Sequence, residues 1–279
     1  MCRWMAYSGD PVPADALLFR PKHSLIDQSL HSELGATTTN GDGFGIGWYS
    51  SGSDEPLVFK EVDPAWNNRN LREVSREIKA RMFFAHIRAS TGTAVQQTNC
   101  HPFRHGRWLW MHNGMIAGFH QLKRDLAMAV DPELFADIEG STDSEMLFFL
   151  AMTFGLQDDP VPAVQRAVGF VEDTAARHDV VNPVQMTVAT TDGVSMWAFR
   201  YSTEGRSRSL FYSTRVDKLL ELHPEVEVLR ELGAETRFVV SEPLRDLEGA
   251  WNGVPESSWG MVGPGRAEVG TFHPVSAAA

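Results

Sequence analysis

Alternation of apolar and polar positions predicts the β-strands of this chain. Residues 82–90 place one purely apolar set of side chains on one face of a strand and a mixed set that includes Arg88 on the other. A second strand is predicted over 108–112, and from residue 185 onward the chain becomes a series of short alternating runs typical of antiparallel sheet. These later strands are expected at 186–190, 195–200, 210–214 and 236–240.

Helical spacing fills the region between the two groups of strands. Apolar residues recur at helical intervals over 64–80 and again from Val164 to Ala175. Thr142 stands three residues before Glu145 and just ahead of an apolar run, which is the capping-box pattern of a helix start. Two groups of strands with helices between them predict sheets covered by helices, with the last strands completing the fold.

Glycines at positions 41, 43, 45 and 47 alternate with larger residues and lead into Trp48 and Tyr49. This alternation predicts a tight loop entering a strand whose face meets close-packed backbone. A dinucleotide-binding loop would instead open a helix on its last glycine, so we do not interpret this segment as a nucleotide site.

Composition narrows the classes of function. The chain has 279 residues, with 43% hydrophobic and 22% charged residues, which is typical of a globular protein. Its formal net charge of −11 disfavours a nucleic-acid partner. The longest apolar run, 146–152, is too short to cross a membrane, and a single residue ahead of Cys2 leaves no room for a signal peptide. Two cysteines make no disulfide framework, so we expect a cytoplasmic protein that begins at or next to Cys2.

Cys2 is a candidate nucleophile if Met1 is removed. Its own α-amine, with an ordinary pKa of roughly 7.7 to 8.0, then becomes a base beside the thiol. On its own, a cysteine at position 2 is more simply an accident of sequence.

Three further positions are informative only together. Arg88 lies on an otherwise apolar strand and requires an anion, which a structural ion pair would also supply. Asp143 fits a first-turn acid that stabilises a helix dipole, and Asn113-Gly114 fits a hairpin turn. His86, His101, His105 and His112, with Cys100, offer a zinc site as an alternative, although their spacing matches no common ligand motif.

In order along the chain, six motifs resemble the glutaminase domain of the class II glutamine amidotransferases, a branch of the N-terminal-nucleophile hydrolases. They are Met1-Cys2-Arg3, the Gly-Asp-Gly loop at 41–43, the segments 86–91 and 99–103, His112-Asn113-Gly114, and 141–145. The resemblance implies an α+β fold, a four-layer αββα sandwich of antiparallel sheets. It also implies one domain over 1–279, with the motifs in 2–150 and the completing strands at about 185–279.

The resemblance implies a role for each site residue. Cys2 is similar to the family's nucleophile, and Asn113 and Gly114 to its oxyanion hole. Arg88 resembles the group that binds the glutamine α-carboxylate, and Asp143 the group that binds the α-ammonium. Thr91 is expected to assist Arg88, and His101 to support the site. No metal and no cofactor are expected.

Taken together, the resemblance and the chemistry predict an amidohydrolase acting on glutamine or a γ-glutamyl compound through a γ-glutamyl thioester. The residues after 150 resemble no synthase, so the protein is expected either to act alone or to pass ammonia to a separate partner, and we see no membrane partner. Ala89 stands where several family members carry an aromatic residue, which leaves the substrate rim more open. The alternatives are a metal-dependent hydrolase that uses the histidine cluster and a non-catalytic protein that binds an amino acid.

Overall fold

The computed structural model describes residues 2–34, 39–90, 92–244 and 247–276. Two antiparallel β-sheets pack face to face, and α-helices cover the outer face of each sheet. This is the predicted α+β sandwich with the layer order αββα, and the fold prediction is confirmed.

The first sheet has seven strands, in the order β11-β9-β10-β1-β4-β2-β3. Their bounds are β1 Arg3–Pro13, β2 Phe44–Trp48, β3 Leu57–Glu61, β4 Lys79–Ile87, β9 Phe211–Ser213, β10 Arg237–Val240 and β11 Trp251–Gly253. The second sheet has six strands, in the order β13-β12-β8-β7-β6-β5. Their bounds are β5 Phe103–His105, β6 Trp108–Ile116, β7 Val184–Thr191, β8 Met196–Ser202, β12 Ser258–Gly263 and β13 Arg266–Thr271.

Helices on the outside of the first sheet are α1 Ala14–Leu18, α2 Leu25–Leu30, α3 Arg69–Glu77, α8 Val216–Leu222 and α9 Glu227–Arg230. The second sheet is covered by α4 Phe119–Ala129, α5 Pro132–Phe135, α6 Asp143–Thr153 and α7 Pro160–Arg177. Because strand side chains alternate, each sheet supplies one apolar set to its helices and another to the space between the sheets. The set between the sheets includes Trp4, Phe84, Leu109, Met111 and Leu210.

Strand β1 lies in the middle of the first sheet, between β10 and β4. Arg3 pairs with Ile87 of β4, and Met5 pairs with Ala85 on that side and with Val240 of β10 on the other. The N-terminal end of β1 therefore lies beside the C-terminal end of β4, where Arg88 follows.

Several predicted elements are confirmed with shifted bounds, and the two faces predicted for 82–90 are also confirmed. Phe83, Ala85 and Ile87 contact the helices, whereas Phe84 lies between the sheets. The helix predicted over 64–80 is a short 3-10 turn followed by α3, because Asn68 caps a new helix by accepting from the Leu71 amide.

The prediction that the second strand ends in an Asn113-Gly114 turn is wrong. Both residues lie inside β6, which continues to Ile116 and pairs with β7 throughout. The hairpin interpretation of this dipeptide is therefore excluded.

Candidate active site

Cys2 lies immediately before β1, half-buried beside the end of β4. Its Sγ is 3.5 Å from the Ala89 amide nitrogen and 3.6 Å from the Ala89 carbonyl oxygen. Burial raises the pKa of the Cys2 thiol, against the opposing influence of the Ala89 amide and of the Arg88 and Arg3 cations. The thiol therefore needs a base to become a nucleophile at neutral pH.

Arg88 is buried next to Cys2, and its guanidinium has no carboxylate partner among the described residues. Its Nη1 donates to the Asp42 carbonyl at 3.3 Å. Its Nη2 donates to the Thr93 and Ser90 hydroxyls at 2.7 and 3.2 Å, and to the Ala94 carbonyl at 3.0 Å. These neutral acceptors orient the guanidinium and leave its positive charge uncompensated. The ion pair that we weighed as the alternative role of Arg88 does not form in the described part of the chain.

The Gly-Asp-Gly loop forms the floor beside Arg88. The Arg88 amide donates to the Gly43 carbonyl at 2.8 Å, and the Asp42 carboxylate accepts from the Ser90 amide at 2.7 Å. Gly43 has a φ of 108°, and a Cβ there would lie 2.7 Å from the Cys100 Sγ. Only glycine fits this conformation and this space, which explains the alternating glycines predicted to enter the strand.

Asn113 and Gly114 reach the site from the facing sheet. Asn113 is buried on β6, at a position that shares the inter-sheet face with Met111, and its side-chain amide makes no hydrogen bond to any described residue. A Cβ on Gly114 would lie 1.9 Å from the Gln185 carbonyl and 2.4 Å from His112 Nε2. The close approach of β7 and His112 therefore requires glycine at this position.

Asp143 is the first residue of α6, and its carboxylate ties this helix to the end of β6. One oxygen accepts from the Ile116 amide at 2.7 Å, and the other accepts from the Ser144 amide at 2.8 Å. Thr142 caps the helix by accepting from the Glu145 amide at 3.1 Å, as predicted. Asp143 is half-exposed and forms no ion pair with a described basic residue. It is thus a first-turn acid whose charge is also open to a cationic ligand.

Three histidines lie in the buried space between Arg88 and Asp143. The ring centroids of His86 and His101 are 4.2 Å apart, with the ring planes tilted by 31°, and neither ring makes a hydrogen bond within the described chain. Burial lowers the pKa of His86 to about 3 and holds that of His101 well below its usual range. His112 Nδ1 lies 2.7 Å from the Ser144 hydroxyl. These rings are therefore neutral at physiological pH.

The zinc cluster that the sequence offered as an alternative does not assemble among the described residues. His105 forms an ion pair with Asp137 at 3.0 Å, away from the other rings, and Cys100 Sγ contacts the Glu61 carbonyl at 3.6 Å. Among the described residues, the one group of three ligand atoms close enough to share a metal ion is His23, Glu33 and Glu242, none of which the sequence suggested. The metal-dependent alternative built on the histidines is therefore wrong.

Sequence reasoning missed the buried network that fixes the start of β1. Arg3 donates from Nε to the Glu242 carboxylate at 2.7 Å and from Nη1 to the Cys2 carbonyl at 2.9 Å. Glu242 also accepts from His23 Nε2 at 2.7 Å and from the Glu33 and Leu34 amides at 3.0 and 3.1 Å. No local motif marks Glu242, because it meets Arg3 only through the pairing of β1 with β10.

Thr91 lies outside the described residues, so its predicted role stays a prediction. The other predicted residues lie around one end of the sandwich. Cys2 and Arg88 lie on the first sheet, whereas Asn113, Gly114 and Asp143 lie on the second sheet and its helix. This placement brings a thiol, a cation without a counter-ion, an unbonded amide and a half-exposed carboxylate to the same end of the fold.

Comparison with known proteins identifies the family. The model of the class-II glutamine amidotransferases matches residues 22–269. This chain belongs to that family. It is 36% identical over 288 residues to the probable glutamine amidotransferase DUG3 of Saccharomyces cerevisiae, covering 92% of this chain and 80% of the yeast protein.

Two further proteins are similar to this chain over most of their length. The gamma-glutamyl-hercynylcysteine sulfoxide hydrolase of Mycolicibacterium smegmatis is 26% identical over 197 residues, covering 69% of this chain and 80% of that protein. The solved structure of a glutamine aminotransferase class-II domain protein from Silicibacter pomeroyi has 29% identity and a TM-score of 0.75, covering 99% of this chain and all of the other.

The chain is therefore a glutamine amidotransferase-like hydrolase with an N-terminal-nucleophile fold, as predicted. Among the described helices, none combines the length and the apolar character that crossing a bilayer demands.

Proposed function

We propose that this class-II amidotransferase cleaves the side-chain amide of glutamine or of a γ-glutamyl compound, with Cys2 as an N-terminal nucleophile. The observation that carries the proposal is the buried Arg88 guanidinium, which lies close to Cys2 and has no described counter-ion, together with the Asn113 amide, which makes no hydrogen bond within the described chain. A γ-glutamyl substrate needs a cation for its α-carboxylate and donors for the oxyanion, and these two groups offer both.

Arg88 binds the substrate α-carboxylate through the face of its guanidinium fork that its neutral acceptors leave free. Asp143 binds the α-ammonium, with the carboxylate held in place by the Ile116 and Ser144 amides. Thr91 assists Arg88. His101, neutral and packed against His86, supports the site without adding a charge that would compete with Arg88.

The reaction begins once removal of Met1 frees the Cys2 amine. This amine accepts the thiol proton, and the Sγ attacks the amide carbon of the substrate. The oxyanion that forms accepts hydrogen bonds from the Asn113 side-chain amide and the Gly114 backbone amide. As the intermediate collapses, the carbon–nitrogen bond breaks. The α-ammonium of Cys2, which took up the thiol proton, donates that proton to the leaving nitrogen. Water then hydrolyses the γ-glutamyl thioester and restores the thiol.

The leaving nitrogen departs as ammonia when glutamine is the substrate, and as an amine when a larger γ-glutamyl compound is cleaved. With glutamine, we propose that a separate synthase accepts the ammonia. The relative named as a sulfoxide hydrolase supports the second case, since its name gives a γ-glutamyl compound as its substrate.

The mechanism is tested by comparing two cysteine variants of the full chain. Cys2→Ala is expected to abolish glutamine hydrolysis, whereas Cys100→Ser is expected to retain most of it, because Cys100 is fully buried and has no adjacent amine. A glutamine-like electrophile should label Cys2 alone, and intact mass should show that active protein lacks Met1. Fully active protein that retains Met1 would overturn the mechanism. Equal loss of activity in both variants would overturn the assignment of Cys2.

A further inference from the structure

Arg208 is a cation near Cys2 that the proposed reaction does not use. It lies in the segment between β8 and β9, and its side chain is half-buried. Its Nε is fully shielded from solvent and has no hydrogen-bond partner among the residues that the structure describes. Its guanidinium pairs with no acidic side chain among the described residues. A donor in such a position costs free energy unless a ligand satisfies it.

Strand register places Arg208 across the sheet from Cys2. Met5 pairs with Val240, and Val240 pairs with Phe211, so β9 lies two strands away from β1 and runs in the same direction. Hydrogen bonds link the same three segments closer to the start of β1. The Ser241 amide donates to the Trp4 carbonyl at 3.1 Å, and the Ser209 hydroxyl donates to the Ser241 carbonyl at 2.8 Å. Arg208 precedes Ser209 by one residue, and Cys2 precedes Trp4 by two. Continuing the same register therefore places Arg208 level with Cys2.

Both side chains belong to the face between the two sheets. Trp4 and Leu210 pack together in the inter-sheet core. Cys2 precedes Trp4 by two residues and Arg208 precedes Leu210 by two, and alternation places both on that same face. The electrostatics agree with this placement. Burial lowers the pKa of Arg208, the Arg3 cation lowers it further, and the charge of Cys2 acts in the opposite direction.

Arg88 and Arg208 lie on opposite sides of the nucleophile. Arg88 follows β4, which neighbours β1 on one side, and Arg208 precedes β9, beyond β10 on the other side. Three strand spacings of about 4.8 Å separate their positions in the sheet. A substrate held by Arg88 at its glutamyl end and attacked at Cys2 therefore directs its leaving group toward Arg208.

We propose that Arg208 is a specificity-determining residue that binds a carboxylate on the leaving amine of a γ-glutamyl substrate. This inference rests on the proposed function and adds the chemistry of the leaving group to it. Arg88 and Asp143 recognise only the glutamyl end, which glutamine shares with every γ-glutamyl compound. Arg208 selects among these compounds for an amine that carries an anion, as an amino acid or a peptide does.

A pair of substrates that differ by one charge tests the assignment. γ-Glutamylglycine carries a carboxylate on its leaving group, and γ-glutamylglycinamide carries a neutral amide at the same place. We expect wild-type protein to hydrolyse the acid with a kcat/KM at least 10-fold above that of the amide. Arg208→Gln should lower kcat/KM for the acid by about 10-fold or more, since a charge-assisted hydrogen bond contributes this much, and should change the value for the amide by less than threefold.

Arg206→Gln is the matched control, because Arg206 is an exposed arginine two residues away in the same segment. It should leave both rates unchanged, and the melting temperatures of both variants should stay close to that of wild type. Equal rates on the acid and the amide in wild type, or an equal loss on both substrates in Arg208→Gln, would overturn the inference while leaving the proposed function intact. If wild-type protein cleaved neither glutamine nor either of the two γ-glutamyl compounds, the proposed function would be overturned instead.

Discussion

Arg3 and Arg88 are two buried arginines at neighbouring positions of one sheet, and their surroundings differ in one decisive respect. Arg3 faces the helices, where the Glu242 carboxylate neutralises it at 2.7 Å. Arg88 faces the space between the sheets, where hydroxyls and carbonyls hold it without a described counter-ion. The two side chains are 1% and 3% exposed, so burial does not distinguish them.

The presence or absence of a counter-ion indicates different roles: the Arg3 pair anchors the backbone, and Arg88 recognises a ligand. A buried ion pair with several added hydrogen bonds fixes the backbone around it, and here that backbone carries Cys2. A buried cation without a carboxylate lowers stability, which a fold tolerates where a ligand supplies the missing charge. We therefore expect substitutions at Arg88 to affect catalysis and substitutions at the Arg3 pair to affect stability.

The largest effect is expected at Arg88. Arg88→Lys should lower kcat/KM for glutamine by about 100-fold, because a lysine ammonium cannot replace the bidentate hydrogen bonds of a guanidinium to a carboxylate. Its melting temperature should stay within a few degrees of the wild-type value. Steady-state kinetics and thermal unfolding measure the two effects. Arg81→Lys, at an exposed position on β4, the strand that ends just before Arg88, is the control and should change neither. A variant of Arg88 that loses stability but keeps its activity would show that the two regions do not differ as described.

The second effect, on stability, is expected at Glu242. Glu242→Gln leaves the Arg3 cation buried without its counter-ion, which should lower the free energy of unfolding by about 3 kcal/mol and the Tm by roughly 6 to 12 °C. The loss of kcat/KM per folded molecule should be smaller than in Arg88→Lys. Denaturant titration measures the change. Glu268→Gln, which breaks an exposed pair with Arg266, should cost less than about 1 kcal/mol. Equal costs in the two variants would contradict an anchoring role for Glu242.

The smallest effect concerns acid pH and sharpens the same comparison. Burial raises the pKa of Glu242, but hydrogen bonds from the Glu33 amide and His23 and the charge of Arg3 outweigh it, so the pKa is lowered. Its contribution to stability is therefore present above the ordinary glutamate pKa of about 4.3 and is lost as the pH falls through the lower folded value. The stability gap between wild type and Glu242→Gln should narrow below about pH 4. The gap between wild type and Arg88→Lys should not depend on pH in this range, and unfolding curves at several pH values test both statements.

The residues predicted around the site came from short motifs, each read within its own stretch of chain. Alternation over 82–90 placed Arg88 on the strand face opposite the purely apolar set, and the capping box placed Asp143 at the start of α6. Both inferences succeeded because local periodicity and local hydrogen bonds determine them. The hairpin-turn interpretation of Asn113-Gly114 was wrong. Glycine is required at position 114 by the close approach of Gln185 and His112, and not by a turn.

What could not be predicted depends on contacts between distant segments. Arg3 and Glu242 are 239 residues apart in sequence, and nothing near either residue marks the other. Arg208 lies in a segment without regular structure, and only the order of β1, β10 and β9 brings it toward Cys2. Strand β1 itself escaped prediction, since a register shift between Ser8 and Val12 and two prolines interrupt its alternation.

The central position of β1 also sets the order in which the active site can be assembled during synthesis. Strand β4 leaves the ribosome within the first 90 residues, but β10 and Glu242 follow only after about 150 more. Closing so long a loop is slow, because its entropy is lost before the contacts between β1 and β10 can stabilise the closed chain. A nascent chain therefore lacks one of the two neighbours of its nucleophile strand until β10, at residues 237–240, has been made. We expect this delay to keep unfinished chains from hydrolysing glutamine.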